Sequence, residues 1–401
     1  MSSTAACDCG CRMPTRVQID FGSSGYESQI PRAAYIHVPF CHQRCPYCNF
    51  TLVANRPEWI DRYLSALERE LVGLKVPRTV DTIFIGGGTP TLLNESQLLR
   101  MMDSLCRWLP IADSGEWTIE ANPSDLDEQK CRMLVKHGVT RISIGGQSFN
   151  LRKLQVLGRD HDGHSLRTAI EIASRFFTRV SLDLIFGAPE ESLEVWNEDL
   201  DQAIASGVQH VSTYGLTYEK GAAFWSQLRQ KKIQAAAEDL ELAMYWTAID
   251  KLTAAGMIHY EISNFARSND ACRHNETYWS LRPWWGFGPG AAGFADGVRY
   301  VNHRSTSKYL QRIEASQSPV AESEQIDWSQ WTRERFVFGM RKLAGVDWSE
   351  LEKTGEPGGL LKIRPIIDRH IDMGWFIEEQ SRVRLSKLGL AVSDALWPAY
   401  F

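Results

Sequence analysis

The stretch Ala34-Tyr-Ile-His-Val-Pro-Phe-Cys41-His-Gln-Arg-Cys45-Pro-Tyr-Cys48 decides the fold of this chain. Its first residues predict a short strand that ends at Pro39, because proline cannot donate to a sheet. Three cysteines then lie within eight residues, and such soft thiolates select an iron–sulfur cluster, zinc or copper(I). Three cysteines do not complete a structural zinc site, whereas a 4Fe–4S cluster held by three leaves one iron open. The alternative is a zinc site completed by His37 or His42.

Strand-like and helix-like patterns alternate after this point. A helix is predicted from Pro57 to Lys75, because its apolar residues cover one face. A second helix is predicted to start near Asn94, a good N-cap, with Gln97 three residues later. The predicted strands are residues 34–38, 80–85, 117–121, 141–144, 180–185 and 210–214. Six β/α units favour a parallel sheet with right-handed crossovers, and they fall short of the eight of a closed TIM barrel. The sequence therefore predicts an α/β fold built on a partial (β/α)6 barrel.

Composition divides the chain into four segments. An irregular tail, residues 1–32, precedes the barrel, residues 33–265. A connecting segment rich in Trp and Gly follows at 266–326, and residues 327–401 predict a smaller, mainly helical, winged-helix-like domain. The tail contains Cys7, Cys9 and Cys11.

The composition is that of a folded globular protein. Of 401 residues, 43% are hydrophobic and 23% charged, and the formal net charge is −5. A net charge this small gives no polybasic surface, so we expect no binding to nucleic acid or anionic membranes. No apolar run reaches the roughly 18 residues of a membrane helix, and the first residues contain no secretory signal. We therefore expect a cytoplasmic protein with reduced cysteines that is not an integral membrane protein.

Residues able to bind a ligand follow several predicted strands. Gly87 and Gly88 come after the second strand, Glu120 ends the third, and Gln147 follows the fourth. Because the carboxyl ends of parallel strands meet at one edge of the sheet, we expect these residues to share one site with Cys41.

The residues of this site resemble the radical S-adenosylmethionine superfamily, whose signature is C-x3-C-x2-C on the loop after the first strand. One branch matches in detail, the oxygen-independent coproporphyrinogen III oxidase-like proteins, over roughly residues 33–400. The matching motifs are Tyr35–Cys48, Gly86–Pro90, Glu120–Pro123, Arg141–Phe149, Leu157–His161, Asp183–Pro189 and His274–Trp279.

The resemblance implies a 4Fe–4S cluster on Cys41, Cys45 and Cys48, with S-adenosylmethionine beside it. A low-potential donor of the flavodoxin or ferredoxin type would reduce the cluster, and the cofactor would cleave to methionine and a 5′-deoxyadenosyl radical. The positions that match cofactor contacts are Tyr35, Tyr47, Gly87, Gly88, Thr89, Glu120, Gln147, Arg159, Asp183 and Thr217. Taken singly, the glycines are also compatible with an ordinary tight turn and the polar residues with structural hydrogen bonding.

The residue after Asn49 separates two branches of this family. The true oxidases have a motif that resembles C-x3-C-x2-C-x-C, with a fourth cysteine. In this chain Phe50 stands at the position of that cysteine, which is similar to the heme chaperone branch. That branch also has the H-N-x-x-Y-W string. It makes His274 a candidate heme ligand, and Tyr278 and Trp279 candidates to cover a porphyrin face. Alternatively, the aromatic residues simply form the interface between the barrel and the C-terminal domain, and His274 is a satisfied hydrogen-bonding residue.

The sequence thus favours a heme chaperone, a monomer or homodimer that binds heme and delivers it to an acceptor haemoprotein. The alternative is an enzyme, an oxidase that decarboxylates the propionates of coproporphyrinogen III. A third hypothesis is a heme- or zinc-binding module without radical chemistry. The positions that match S-adenosylmethionine contacts argue against this third hypothesis. Three positions depart from the branch: Asn49 replaces aspartate, Gly146 replaces valine and Ala292 replaces histidine.

Overall fold

The computed structural model describes residues 30–401. Its strands are β1 (Ala33–Val38), β2 (Phe40–Cys41), β3 (Val53–Ala54), β4 (Val80–Gly87), β5 (Ile111–Ala121), β6 (Arg141–Gln147), β7 (Arg179–Phe186), β8 (His210–Gly215), β9 (Ile258–Glu261), β10 (Asn264–Ala266), β11 (Trp285–Phe287), β12 (Ala292–Ala295), β13 (Val298–Asn302), β14 (Val320–Gln325), β15 (Val346–Asp347), β16 (Phe376–Glu379) and β17 (Arg382–Leu385). The tail cysteines Cys7, Cys9 and Cys11 lie outside the described residues.

The helices surround the large sheet and build the C-terminal part. They are α1 (Ile60–Val72), α2 (Glu95–Trp108), α3 (Glu128–Lys136), α4 (Leu151–Val156), α5 (Gly163–Phe176), α6 (Leu193–Ala205), α7 (Ala223–Arg229), α8 (Glu238–Ala254), α9 (Arg273–Trp279), α10 (Thr306–Glu314), α11 (Trp328–Gly339), α12 (Trp348–Thr354), α13 (Arg364–Asp372), α14 (Lys387–Ala391) and α15 (Ser393–Leu396). No helix within residues 30–401 is both long and apolar enough to cross a bilayer.

The main sheet is a partial barrel in the order β11-β1-β4-β5-β6-β7-β8-β10-β9. The strands from β11 to β8 run parallel, whereas β10 and β9 add antiparallel. All six predicted strands are present in this sheet, so the predicted α/β partial barrel is confirmed. The short strand β11 was not predicted; it comes from the Trp- and Gly-rich segment and extends the edge beside β1.

Alternation along each strand separates the core from the barrel interior. In β1, Ile36 and Val38 are fully buried and pack with the surrounding helices. Tyr35 and His37 alternate with them, so they project to the opposite face, inside the barrel. The barrel interior therefore receives mostly polar side chains, which is where a polar site can form.

Local signals determine where the helices begin and end. Asn94 caps α2, accepting from the Gln97 N–H (3.0 Å), and the Gln97 side chain accepts in return from the Asn94 N–H (3.2 Å). This capping box satisfies two N–H groups at the helix start, as the sequence predicts. Helix α1 ends at Val72 rather than at the predicted Lys75, because the chain tightens into a turn in which the Gly73 N–H bonds three residues back.

A buried ion pair closes the amino-terminal end of the barrel. Arg141 contacts Glu116 (3.1 Å) and donates to the carbonyl oxygens of Asp270 (2.9 Å) and Ala271 (3.1 Å). Arg141 and Glu116 are 1% and 0% exposed. A buried guanidinium needs such partners, and here they tie the segment before α9 across the barrel floor. Protein side chains thus occupy this end of the barrel interior.

The C-terminal part has its own small core. Helix α11 is followed by β15, the helices α12 and α13, and then β16 and β17, which form a sheet in the order β15-β17-β16. Phe336, Ile367 and Phe376 are among its buried residues. This order of helices and strands is that of a winged helix, as the sequence predicts.

Candidate functional site

The three cysteines lie on one loop at the carboxyl edge of the barrel. The parallel pair β2–β3 closes this loop, with Cys41 opposite Ala54. A turn between the Cys48 N–H and the Cys45 carbonyl (3.1 Å) fixes the spacing of the second and third thiols. Burial raises the pKa of Cys41 to about 11 and raises that of Cys48 as well. These thiols hold their protons near neutral pH, so a metal that binds them must displace the thiol protons.

The nearby histidines do not complete a zinc site. His37 bonds through Nδ1 to the Tyr35 hydroxyl (3.0 Å) and through Nε2 to the Thr51 carbonyl (2.7 Å), while His42 pairs with Asp125 (2.9 Å). Burial lowers the pKa of His37 to about 4. Across residues 30–401, no three His, Cys, Asp or Glu side chains surround a position for one metal ion. Thiolates that each bind a different iron need no such common point, so this arrangement is compatible with a cluster.

The glycines after β4 bring backbone close to the cysteine loop. Gly87 has a φ of +108°, and a Cβ there would lie 2.5 Å from the His37 ring. A Cβ on Gly88 would lie 2.5 Å from the Phe40 carbonyl oxygen. Side chains at these positions would therefore clash. The close approach allows the Thr89 hydroxyl to lie 3.6 Å from the Cys41 sulfur.

Two carboxylates face the barrel interior beside these glycines. Glu120 at the end of β5 accepts from the Gly87 N–H (2.9 Å), and Asp183 in β7 accepts from the Ser143 hydroxyl (3.1 Å). Burial and the charge of Asp183 raise the pKa of Glu120 to about 8, and burial raises the pKa of Asp183 to about 6. Two partly buried carboxylates that face the same cavity suit a ligand with cationic or hydroxyl groups.

Arg159 connects the cysteine loop to β6. Its guanidinium lies 3.8 Å from the Cys45 sulfur and donates to the Gly145 carbonyl (2.8 Å). Its Nε is buried and has no hydrogen-bond partner within the described chain. Gln147 ends β6 with a φ of +63°, a strained conformation for a non-glycine residue. An unused buried donor is the expected feature of a site that takes an anionic group.

These groups line one cavity of about 430 Å³. The predicted residues that line it are Cys41, Cys45, Tyr47, Cys48, Gly87, Gly88, Thr89, Glu120, Gln147, Arg159, Asp183 and Thr217. Tyr35 is not among them, because its hydroxyl bonds to His37 deeper in the barrel. Tyr47 also packs against the buried cluster that contains Leu157 and Leu216.

Sequence reasoning missed some of the lining residues. Tyr214 on β8 is 43% exposed and lines the cavity, and Asp160 and Glu219 also line it. Tyr214 has the same parity along β8 as the buried Ser212, so strand alternation could have placed it inside the barrel. Asp160 was within a matched motif, but nothing distinguished it from the neighbouring polar residues.

The residues predicted to bind heme lie at the opposite end of the barrel. His274 is 1% exposed and bonds through Nδ1 to the Thr82 hydroxyl (2.9 Å) and through Nε2 to the Tyr278 hydroxyl (2.8 Å). Thr82 precedes Gly87 by five residues of β4, about 16 Å at the usual strand rise. The Trp279 ring instead carries the guanidinium of Arg341, 4.5 Å from its centroid. Both ring nitrogens of His274 are used, which favours the alternative that His274 is a satisfied hydrogen-bonding residue.

Ala292 begins β12, away from the cavity wall. Its carbonyl oxygen accepts from the Trp284 indole N–H (2.9 Å), and it pairs with Val301. The structure therefore gives this position a backbone role, and its side chain does not line the cavity.

Comparisons with known proteins agree with this architecture. Residues 35–203 match the Radical SAM superfamily. The chain is 36% identical to the heme chaperone HemW of Bacillus subtilis over 92% of this chain and 99% of that protein. It is 37% identical to the heme chaperone HemW of Mycobacterium tuberculosis over 74% of this chain and 78% of that protein.

A solved structure supports the fold independently. The coproporphyrinogen III oxidase HemN of Escherichia coli, described as a radical SAM enzyme, superposes with a TM-score of 0.81 and 21% identity. The match covers 93% of this chain and 91% of that one. A radical SAM domain implies a 4Fe–4S cluster and S-adenosylmethionine as cofactors. The relatives, at this identity and coverage, show that the chain belongs to the HemW family of the radical SAM superfamily.

Proposed function

We propose that the chain is a heme chaperone, which binds heme and delivers it to an acceptor haemoprotein. The observation that carries this proposal is Phe50, which stands at the cavity wall next to the cysteine loop. The motif of the oxidase branch has a fourth cysteine at this position. Phe50 replaces that thiol with an apolar ring at the cavity wall, and such a ring favours holding a flat apolar ligand over modifying it. The names of the HemW relatives support the same function.

The donor set of the cavity fits a 4Fe–4S cluster on Cys41, Cys45 and Cys48. Three thiols come from one loop, and both nearby histidines are engaged elsewhere. Arg159 places a cation 3.8 Å from the Cys45 sulfur, on the side of the loop that would carry the cluster. We expect cluster binding to order this loop and release the thiol protons.

The same cavity fits S-adenosylmethionine. The N–H of Arg159 without a partner suits its carboxylate, and the Glu120 and Asp183 carboxylates suit its ammonium, sulfonium and ribose groups. Gly87 and Gly88 let backbone approach it closely. When bound and reduced by a low-potential donor, this pair of cofactors supplies a one-electron cleavage of the carbon–sulfur bond. The protein's part is to position these groups in the cavity at the carboxyl edge.

The proposal is tested by two anaerobic incubations of the purified, cluster-reconstituted protein. With heme, a stoichiometric complex should form and transfer its heme to an acceptor apoprotein of the b type. With coproporphyrinogen III, S-adenosylmethionine and reductant, no vinyl groups should form. Vinyl formation would establish the oxidase instead, and failure to bind heme would reject the chaperone function. A cytoplasmic location, the identity of the electron donor, and the state as monomer or homodimer stay predictions.

A further inference from the structure

Phe50 presents an apolar ring to solvent at the cavity edge. Phe50 is 66% exposed, which is among the largest exposed fractions of the hydrophobic residues described. The ring lies on the ordered loop that β2 and β3 close, two residues after Cys48, and Leu52 lines the same cavity. An exposed ring on a fixed loop beside a cavity is an apolar surface ready for a ligand.

Two arginines bond to the backbone around Phe50. Arg44 donates to the carbonyl oxygens of Cys48 (3.3 Å) and Leu52 (3.2 Å), on either side of Phe50 in the chain. Arg304, from the segment after β13, donates to the carbonyl oxygen of Asn49 (3.1 Å). These bonds thus hold both exposed guanidiniums against the chain segment that carries Phe50, although the two arginines are far apart in sequence.

The two guanidiniums have donors to spare. A guanidinium has five N–H groups, and these bonds use two on Arg44 and one on Arg304. Within residues 30–401 neither arginine pairs with a carboxylate. The carboxylate of Glu219 accepts instead from the Asn49 amide (2.9 Å). Each arginine can therefore take a ligand carboxylate in the bidentate manner that guanidinium favours.

We propose that Phe50, Arg44 and Arg304 form a recognition site for the carboxylate side chains of a flat, largely apolar ligand. In this site the Phe50 ring packs on the porphyrin macrocycle of the ligand, and the two arginines bind the propionate groups of that macrocycle. The inference rests on the proposed function, because heme is a ligand of this class. A chain with a net charge of −5 repels a dianion in general, so local cations are needed to hold it.

The experiment compares metal-free protoporphyrin IX with its dimethyl ester, each titrated by fluorescence. The main variant is Arg304→Gln, because Arg44 also ties the cysteine loop. We expect Arg304→Gln to bind the diacid about fivefold more weakly, at the upper end of what an exposed ion pair contributes, and to bind the ester as the wild type does. Phe50→Ser should weaken the binding of both probes. Arg384→Gln removes a half-exposed arginine of β17 that pairs with Glu379 of β16; it is the control variant and should change the binding of neither probe.

Iron and sulfide content is measured for each variant, and it should stay at the wild-type level. If the wild type binds the diacid and Arg304→Gln binds both probes normally, the arginine site is wrong while the proposed function stands. An equal loss for diacid and ester in Arg304→Gln also overturns the site, because it shows a loss of structure rather than of carboxylate recognition. A wild type that binds neither probe overturns this inference, while the proposed function is judged separately by the incubation with heme.

Discussion

The carboxylates of Glu120 and Asp183 share one cavity, and the charge of Asp183 adds to burial in raising the pKa of Glu120 to about 8. Asp183 itself has a pKa of about 6, because the hydroxyls of Ser212 and Ser143 offset part of the effect of burial. Because the carboxylates of Glu120 and Asp183 repel each other, a cation bound between β5 and β7 would be stabilised by both. Their titration gives two predictions.

The first prediction concerns stability without ligand. Glu120 has a higher pKa in the folded protein, about 8, than the roughly 4.3 of an unfolded glutamate. The folded state then binds more protons between these values, so the free energy of unfolding falls as pH rises from about 4.5 to 8, by at most about 1.4 kcal/mol per pH unit. Glu120→Gln should flatten this dependence, as measured by chemical denaturation at several pH values. An unchanged slope in Glu120→Gln would place the titration elsewhere.

The second prediction concerns S-adenosylmethionine. A bound cation lowers the pKa of both carboxyl groups, so binding releases a proton and strengthens as pH rises from 6.5 to 8. The gain is at most about tenfold per pH unit for one released proton. Equilibrium dialysis of the reconstituted protein should show this in the wild type, and Glu120→Gln should bind more weakly with less pH dependence. Glu219→Gln, at the edge of the same cavity, is the control, and an identical effect there would argue against a specific role for Glu120.

The third prediction concerns the cluster. A triple Cys→Ser variant at Cys41, Cys45 and Cys48 should lose its iron and sulfide, whereas the anaerobically reconstituted wild type should hold about four irons per chain. Cys106→Ser provides the control, since Cys106 is an exposed thiol on α2 that does not line the cavity. Full iron in the triple variant would show that other ligands hold the metal.

The fourth prediction concerns His274, which bonds to Thr82 and Tyr278 in the barrel floor. His274→Ala should lower the free energy of unfolding by about 2 kcal/mol, because it leaves two hydroxyls without partners. Tyr278→Phe, which removes one of the two bonds, should cost less. Heme affinity and the Soret band should be unchanged in both. A shifted Soret band with normal stability in His274→Ala would restore the heme-ligand interpretation.

The fifth prediction concerns the tail. Deleting residues 1–30, which include Cys7, Cys9 and Cys11, should leave cluster content and cofactor binding intact. The cavity residues all come from positions 41–219, so the tail supplies none of its described lining. Iron analysis of the truncated protein tests this, and a lost cluster would give the tail cysteines a role.

The strands and much of the site could be predicted because both depend on short-range patterns. Alternation placed β4 and β5, and their carboxyl ends then placed Gly87 and Glu120 together. The role of His274 could not be predicted in this way, since its partner Thr82 lies 192 residues earlier in the chain. Strand β11 was missed because three residues beside glycines have no measurable periodicity. The same holds for Arg304, whose position next to Phe50 depends on a long connection.

The ion pair of Arg141 and Glu116 occupies the amino-terminal end of the barrel, and the cavity lies at the carboxyl edge, where Glu120 and Phe50 both line it. A molecule bound near Glu120 therefore shares its cavity with the loop that carries Phe50. A flat ligand resting on that loop would cover the smaller molecule and slow its dissociation.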